Sequence, residues 1–211
     1  MNTSNYWYFK SALTPKFCDD VIKYGLSKSE EMAKTGNTNK DKLSKEEIRD
    51  IRRIRNSNIV WLDEPWIYRE IHPYVHKANE NAGWNFDLDI SEDIQFTEYS
   101  KSGHYDWHVD GGSDHNYVYT KEKTKWPNYY GKVRKLSMTV NLSDENDYEG
   151  GDLIFKFNSS IDGKENTEVC KPIRKKGTIV VFPSFIHHKI TPINSGNRYS
   201  LVMWTLGKPF R

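Results

Sequence analysis

The chain has 211 residues, which is enough for one domain with a substantial core, because all-β barrels of this size commonly stay undivided. Its 31 basic and 29 acidic residues leave a net charge of +2, so a small partner is easier to defend than a polyanion such as nucleic acid. The N-terminus has no apolar stretch of signal-peptide length, no run can span a bilayer, and Cys18 and Cys170 form no CxxC pair, which together predict a soluble cytoplasmic protein with reduced thiols.

The N-terminal part of the chain alternates between helical and uncertain patterns. Thr14 fits an N-cap, and the apolar spacing after it predicts a helix from Pro15 to Leu26. Residues 27–53 are dominated by charged and small polar residues, which indicates a solvated helix or a mobile loop without a buried element. Residues 58–62 show the alternation of a strand.

A second helical pattern precedes a long β region. It begins at Pro65, and Pro73 is expected to kink or divide this helix. Residues 84–207 consist of short segments rich in Phe, Tyr, Val, Ile and Thr, separated by Gly and Pro turns. We predict a single domain over residues 1–211, in which an N-terminal helical region, residues 1–83, supports a β-sandwich or jelly roll, residues 84–207.

Metal-binding side chains occur at two places in the β region. His108 and Asp110 are two residues apart, so on a strand they project from the same face. The buried-strand pattern of residues 177–182 leads to His187 and His188, and one of these completes the group, because neighbouring strand residues face opposite ways. Two histidines and one carboxylate leave positions free on Fe(II) for an organic chelate and oxygen, whereas a structural zinc site would need four closed ligands.

A series of motifs follows in fixed order from about residue 94 to residue 207. They are Glu98 to Gly103, His108 to Asp110, Arg134 to Leu142, Tyr148 to Leu153, Gly177 to Ser184, His188 to Ile193, and Gly196 to Ser200. This order resembles the prolyl-4-hydroxylase-like branch of the Fe(II)/2-oxoglutarate dioxygenases, the branch that contains the bacterial PKHD-type hydroxylases. The spacing of Pro192 and Arg198 in that pattern favours His188 over His187 as the third ligand.

The resemblance implies a mainly β fold, a double-stranded β-helix (jelly roll, cupin-like) with N-terminal helices. It implies that His108, Asp110 and His188 hold Fe(II). Arg198 would pair with the far carboxylate of 2-oxoglutarate, a task that suits a permanently charged, forked guanidinium, and Tyr99 would also reach this co-substrate. With O2, 2-oxoglutarate would be decarboxylated to succinate while an unactivated C–H bond is hydroxylated, and ascorbate is a further family expectation. Halogenating relatives lack the carboxylate that Asp110 provides.

The substrate stays open at this point. A prolyl residue in a peptide or protein is the first candidate, and a free amino acid or another small molecule is the close alternative, which would need a closed pocket with its own carboxylate clamp. Nucleic-acid demethylation is disfavoured, because such relatives carry a second arginine where this chain has Trp204, a residue whose strand parity with Arg198 fits either the pocket wall or the core. A catalytically inactive β-helix that binds a partner is the rival from another class.

Two further segments receive interpretations. Residues 111–133 separate Asp110 from the strand that begins at Arg134 and contain Tyr117, Tyr119, Trp126, Tyr129 and Tyr130. Because long loops beside a metal commonly carry function, we predict a substrate-facing lid. The basic stretch 171–177 is interpreted as solvated surface, since short charge runs beside turns usually are.

Overall fold

The computed structural model describes residues 4–28, 31–32, 44–111, 117–161 and 164–210. Within these ranges it contains the helices α1 (Pro15–Ser27), α2 (Lys45–Ile54) and α3 (Pro65–Asn81). The strands are β1 (Trp7–Phe9), β2 (Glu31–Met32), β3 (Arg55–Asn56), β4 (Asn58–Leu62), β5 (Ile90–Ser91), β6 (Ile94–Tyr99), β7 (His104–His108), β8 (Val133–Asn141), β9 (Tyr148–Gly150), β10 (Leu153–Ile161), β11 (Lys164–Val169), β12 (Ile179–Pro183), β13 (His187–Ile190), β14 (Ile193–Gly196) and β15 (Arg198–Gly207). Short 3-10 helices lie at Pro127–Tyr129 and Lys171–Arg174.

The strands form two antiparallel sheets that enclose a shared core. The large sheet has the order β1-β12-β8-β15-β6-β4-β2, with β5 beside β15, and the small sheet has the order β11-β10-β13-β7-β3. Strands β9 and β14 pair separately. The core between the sheets combines side chains from both, for example Phe155 of β10 and Phe182 of β12, whose ring centroids are 5.0 Å apart.

The helices α1 and α3 cover the outer face of the large sheet, as the sequence predicted. Their buried faces pack in one cluster with the helix-facing residues of β4, β6, β8, β12 and β15. This cluster includes Val21, Ile67, Ile71, Phe96, Val140 and Leu201. None of the helices in the described part of the chain is both long and apolar enough to cross a membrane. Both cysteines are buried and free, and their reduced state stays a prediction.

The predicted element bounds hold closely in this region. The hydroxyl of Thr14 accepts a hydrogen bond from the backbone N–H of Phe17 and caps α1, and β4 coincides with the predicted strand at 58–62. The expectation that Pro73 divides α3 is wrong, because the helix runs through it. Pro73 lies on the exposed side of the helix, so water can satisfy the carbonyl of Arg69 that loses its N–H partner.

Residues 27–53 contain more fixed structure than the sequence indicated. The helix α2 begins at a capping box formed by Ser44 and Glu47 and is mostly exposed, as predicted for a solvated helix. Ile51 is nevertheless buried, so the expectation of no buried element is wrong there. The remainder of this prediction falls largely on residues 29–30 and 33–43, which lie outside the described residues.

Strands also occur before residue 84, where the sequence predicted only β4. The strand β1 pairs with β12, β2 pairs with β4, and β3 pairs with β7, so the N-terminal third contributes to both sheets. These strands have two or three residues, too few to show a period of two in the sequence. The assignment of residues 1–211 to a single domain stays a prediction.

Two glycines in the turn between β9 and β10 allow a close backbone approach. Gly150 has φ +78°, and a Cβ atom there would lie 2.2 Å from the carbonyl oxygen of Pro192. Gly151 has φ +66°, and its Cβ would meet Ile193 at 2.5 Å.

The side chain of Arg174 donates to the carbonyl of Gly150 at 2.9 Å, so the interpretation of the 171–177 stretch as solvated surface is wrong for this residue.

We expect Gly150→Ala to destabilise the protein by at least about 3 kcal/mol, because it combines an unfavourable positive φ with a backbone collision. Gly131→Ala is the matched control, since Gly131 has φ +74° but no atom of the described residues lies within 4 Å of its added Cβ. The control should lose only about 1 kcal/mol. Urea unfolding followed by circular dichroism measures both, and equal losses would contradict the steric explanation.

Candidate metal centre

Three side chains converge between the sheets at one end of the small sheet. His108, Asp110 and His188 each offer a ligand atom, and these atoms lie within 4.8 Å of one another. The Nε2 atoms of the two histidines are each 3.6 Å from a different carboxylate oxygen of Asp110. No other group of three His, Cys, Asp or Glu residues suited to a metal occurs in the part of the chain that was described.

The pairing of β7 with β13 selects His188 from the two candidate histidines. His188 lies directly opposite His108 in this pairing and is 6% exposed. His187 is on the opposite face of β13 and is partly exposed. The structure therefore brings together the histidine that the motif spacing favoured.

A β-bulge and a turn, rather than one regular strand, direct His108 and Asp110 to the same place. The β7–β13 register shifts between the pairs His188–His108 and Ile190–Tyr105, so β7 carries one extra residue there. The ring of Tyr105 consequently stacks on that of His108 with centroids 3.5 Å apart. Asp110 lies beyond the end of β7, and its backbone N–H donates to the carbonyl of Ser184 at 2.9 Å, which corrects the expectation that the pair shares a strand face.

The backbone fixes which nitrogen of each imidazole is available. The Nδ1 atoms of His108 and His188 lie 2.8 and 2.9 Å from the carbonyl oxygens of Asp106 and Ile186. Because a carbonyl can only accept, Nδ1 carries the proton and Nε2 presents a lone pair to the centre. Burial, together with the neighbouring His188, lowers the pKa of His108 to about 3, so this ring is neutral at pH 7 as metal ligation requires.

The carboxylate of Asp110 is held ionised and oriented. Burial alone would raise its pKa, but His188, His108 and Arg134 outweigh this effect and hold the pKa at about 2. The hydroxyl of Ser137 donates to its Oδ2 at 2.7 Å and lies 2.9 Å from the hydroxyl of Ser184. The centre thus combines two imidazole rings with an anionic carboxylate, a donor set suited to Fe(II).

Arg198 and Tyr99 face the same cavity from the large sheet. They lie opposite each other in the β15–β6 pairing, and the guanidinium carbon of Arg198 is 5.6 Å from the Tyr99 ring centroid. Arg198 is 1% exposed, and its Nε and Nη2 atoms have no hydrogen-bond partner among the described residues. A buried guanidinium with unpartnered donors fits a bound carboxylate.

The cavity that joins the two groups contains about 470 Å³ of empty space, including its opening to solvent. Trp204 lines it, so the pocket position that strand parity allowed is confirmed. The sequence reasoning missed several other wall residues, among them Arg55, Gln95, Tyr105 and Ser200. Gln95 and Ser200 share strand parity with Tyr99 and Arg198 and could have been found that way, whereas Tyr105 faces the cavity because of the bulge in β7 and Arg55 comes from β3, a strand of two residues.

Two antiparallel sheets that carry a two-histidine, one-carboxylate centre on one side and a buried arginine on the other define a class of double-stranded β-helix proteins with iron and 2-oxoglutarate as cofactors. The chain belongs to this class. The family model of the 2OG-Fe(II) oxygenase superfamily matches residues 94–206, which is more than half of the chain. The chain is therefore a member of that superfamily, whose cofactors are Fe(II), 2-oxoglutarate and O2, and the resemblance drawn from the motifs is confirmed.

Curated relatives of the chain are PKHD-type hydroxylases. The protein of Synechococcus sp. (strain CC9605) is 36% identical over 100 residues, which cover 47% of this chain and 35% of the relative. The protein of Nitrosomonas europaea is 28% identical over 156 residues, which cover 72% of this chain and 60% of the relative. The matched segment thus spans less than two thirds of the length of either relative.

Solved structures with the same fold are prolyl hydroxylases. The Pseudomonas putida prolyl-4-hydroxylase superposes with a TM-score of 0.64 at 17% identity, over 95% of this chain and 92% of that one. The Trichoplax adhaerens prolyl hydroxylase, in complex with a hypoxia inducible factor peptide fragment, gives 0.67 at 16% identity, over 97% and 84%. At these identities the likeness establishes the double-stranded β-helix fold.

We expect Ser137→Ala to weaken divalent metal binding roughly tenfold to a hundredfold, because the hydroxyl that orients Asp110 is lost. Ser200→Ala is the matched control, since Ser200 is buried in the same cavity wall but makes no hydrogen bond to His108, Asp110 or His188. Titration with Mn(II), followed by electron paramagnetic resonance of the free ion, measures both affinities. Equal affinities for the two variants would show that the Ser137 hydroxyl does not orient the carboxylate.

Proposed function

We propose that the chain is an Fe(II)- and 2-oxoglutarate-dependent dioxygenase that hydroxylates an unactivated C–H bond and couples this to decarboxylation of 2-oxoglutarate to succinate. His108, Asp110 and His188 are the proposed iron ligands, and Arg198 is the proposed anchor for the far carboxylate of 2-oxoglutarate. The observation that carries the proposal is the buried, unpartnered guanidinium of Arg198 in the same cavity as the three ligands. Within the described residues no acceptor meets the Nε and Nη2 atoms of Arg198, so a bound carboxylate would account for its burial.

The residues of the chain have separate tasks in this proposal. The bound iron and 2-oxoglutarate supply the oxidising chemistry. His108 and His188 are held by their Nδ1–H bonds with Nε2 directed to the centre, and Ser137 fixes the carboxylate of Asp110. The cavity is largely apolar, which limits contact with bulk water and strengthens the electrostatic contacts made within it.

Tyr99 is a proposed second contact for the co-substrate. Its ring is 3% exposed and lies beside the Arg198 guanidinium in the cavity wall. A phenol in that position can donate a hydrogen bond to the carboxylate that the arginine anchors. Its position supports the role that the motif comparison suggested.

A prolyl residue in a peptide or protein is the proposed substrate. The indole Nε1–H of Trp204 is a buried donor that lines the cavity and has no acceptor among the described residues. A peptide carbonyl can supply this acceptor, and the apolar faces around it suit a pyrrolidine ring. The PKHD-type relatives and the prolyl hydroxylase structures support the same substrate class.

A free amino acid or other small carboxylate is the second candidate, and Arg55 favours it. This residue is 6% exposed, lines the cavity and lies with its guanidinium carbon 4.6 Å from the Tyr105 ring centroid. Its Nε donates to the hydroxyl of Ser57, and no carboxylate pairs with it in the described ranges. Arg55 therefore has the properties of the separate carboxylate clamp that a small acidic substrate would need.

We expect anaerobic addition of Fe(II) and 2-oxoglutarate to produce the weak visible charge-transfer band of the iron chelate. Asp110→Ala and His188→Ala should abolish the band, because each removes a ligand, whereas His187→Ala should retain it. Arg198→Ala should raise the dissociation constant of 2-oxoglutarate at least roughly thirtyfold, since a charge-assisted bidentate pair is lost. Absorption titration measures all four variants.

The His187→Ala variant is the matched control, because it removes an adjacent imidazole that faces away from the centre. A folded wild-type protein that gives no band would contradict the dioxygenase proposal and would favour an inactive binding module.

We expect oxygen incorporation into proline-containing peptides but not into free proline, because a peptide presents a neutral backbone carbonyl to Trp204, whereas free proline would have to bury both of its zwitterionic charges in the largely apolar cavity. Mass spectrometry of both substrates after aerobic turnover measures the gain of one oxygen atom. Trp204→Phe should lower peptide turnover roughly tenfold and leave the affinity for 2-oxoglutarate unchanged. Oxidation of the free amino acid, lost in Arg55→Met, would instead establish the small-molecule substrate.

A further inference from the structure

The carboxylate of Glu92 is a junction of hydrogen bonds at the edge of the cavity. Glu92 is 7% exposed, and Arg134 grips it with two bonds of 2.6 Å, from Nε to Oε1 and from Nη2 to Oε2. The hydroxyl of Tyr119 donates to the same Oε1 at 2.9 Å. Tyr68 donates to the backbone carbonyl of Glu92 at 2.8 Å, which fixes its main chain.

Arg134 extends this junction to the metal centre. The β8–β15 register shifts at Lys135, and this bulge turns Arg134 toward the cavity-wall residues Trp204 and Asp110. Its Nη1 donates to the backbone carbonyl of Asp110 at 3.3 Å, and its guanidinium carbon lies 3.9 Å from the centroid of the Trp204 indole. One guanidinium therefore contacts the main chain of a proposed metal ligand and the wall of the proposed substrate pocket.

The described part of the connection between Asp110 and Arg134, residues 117–133, is called the aromatic loop below. Tyr119 closes it. Its N–H donates to the carbonyl of Lys132, and its carbonyl accepts from the N–H of Gly131, both at 2.9 Å. These two bonds make residues 120–130 a closed loop with Tyr119 at its base. The hydroxyl of the same residue reaches Glu92, so the base of the loop and the junction share one side chain.

We propose that Tyr119 is a positioning residue, whose hydroxyl holds the aromatic loop closed and, through Glu92, holds Arg134 against Trp204 and Asp110. The role of this contact in turnover rests on the function proposed above. The phenol is half-buried, and a carboxylate is a stronger acceptor than water, so the bond favours the closed loop. Loss of the hydroxyl removes the restraint from the loop and also leaves the Glu92–Arg134 pair without the hydrogen bond that fixes its position against Trp204 and Asp110.

The test compares Tyr119→Phe with Tyr129→Phe in the otherwise complete protein. Both changes remove one hydroxyl and keep the ring contact between these two residues, whose centroids are 5.7 Å apart. The Tyr129 hydroxyl makes no side-chain hydrogen bond within the described residues, so this variant is the matched control. Trypsin, which cleaves after Lys121, Lys123 and Lys125, reports loop opening without any turnover.

We expect Tyr119→Phe to raise the rate of trypsin cleavage in the loop roughly tenfold, the effect of losing one hydrogen bond to a charged group. The ratio of hydroxylated peptide to succinate should fall, and the charge-transfer band of the Fe(II) and 2-oxoglutarate complex should keep its 2-oxoglutarate dissociation constant. Tyr129→Phe should match the wild-type protein in every measurement.

Equal cleavage of the two variants would overturn the proposal. If Tyr119→Phe is cleaved faster but keeps the wild-type ratio of hydroxylated peptide to succinate, the proposed positioning role is overturned, and the hydroxyl only stabilises the closed loop. A wild-type protein without the charge-transfer band would instead refute the proposed function, while the cleavage comparison would still decide whether Tyr119 closes the loop.

Discussion

The register that sets His108 opposite His188 on β7 and β13 is the constraint on which the centre depends. A slip of one residue would turn His188 outward and His187 inward, since side chains alternate along a strand. The extra residue in β7 shifts its register with β13 by one position. The rings of Tyr105 and His108 therefore both face the cavity, although the two residues are three positions apart. The small sheet thereby supplies the proposed metal ligands, and the large sheet supplies the groups opposite them.

Charge balance explains why this arrangement suits an iron and 2-oxoglutarate complex. Among the described residues, Arg198 is a buried cation with two unpartnered nitrogens, an arrangement that is unfavourable by on the order of several kcal/mol in an apolar core. A divalent metal and the Arg198 guanidinium together would be neutralised by the Asp110 carboxylate and a dianionic co-substrate. Arg134 does not share this deficit, because Glu92 pairs with it through both oxygens. The uncompensated positive charge of Arg198 thus lies where the far carboxylate of 2-oxoglutarate is expected.

The sequence predicted those features that depend on ordered motifs or on local signals. The motif spacing identified His108, Asp110 and His188, and the cap at Thr14 placed the start of α1. Features that arise from long-range pairing were missed. Arg55 reaches the cavity from a strand of two residues, and Arg134 turns inward only because Lys135 forms a bulge in the pairing with β15. Such short strands and bulges leave no periodic trace, because they are set by the partner strand and not by the segment itself.

The long connection between Asp110 and Arg134 gains its significance from the contact between its two ends. Asp110 offers a carboxylate to the centre, and Arg134 donates to its backbone carbonyl at 3.3 Å, so the connection begins and ends at the metal site. A movement of the described loop that displaced Tyr119 would act on Glu92, which grips the same guanidinium. In the proposed function, a substrate contact in the loop would reach the backbone of Asp110 through three successive hydrogen bonds.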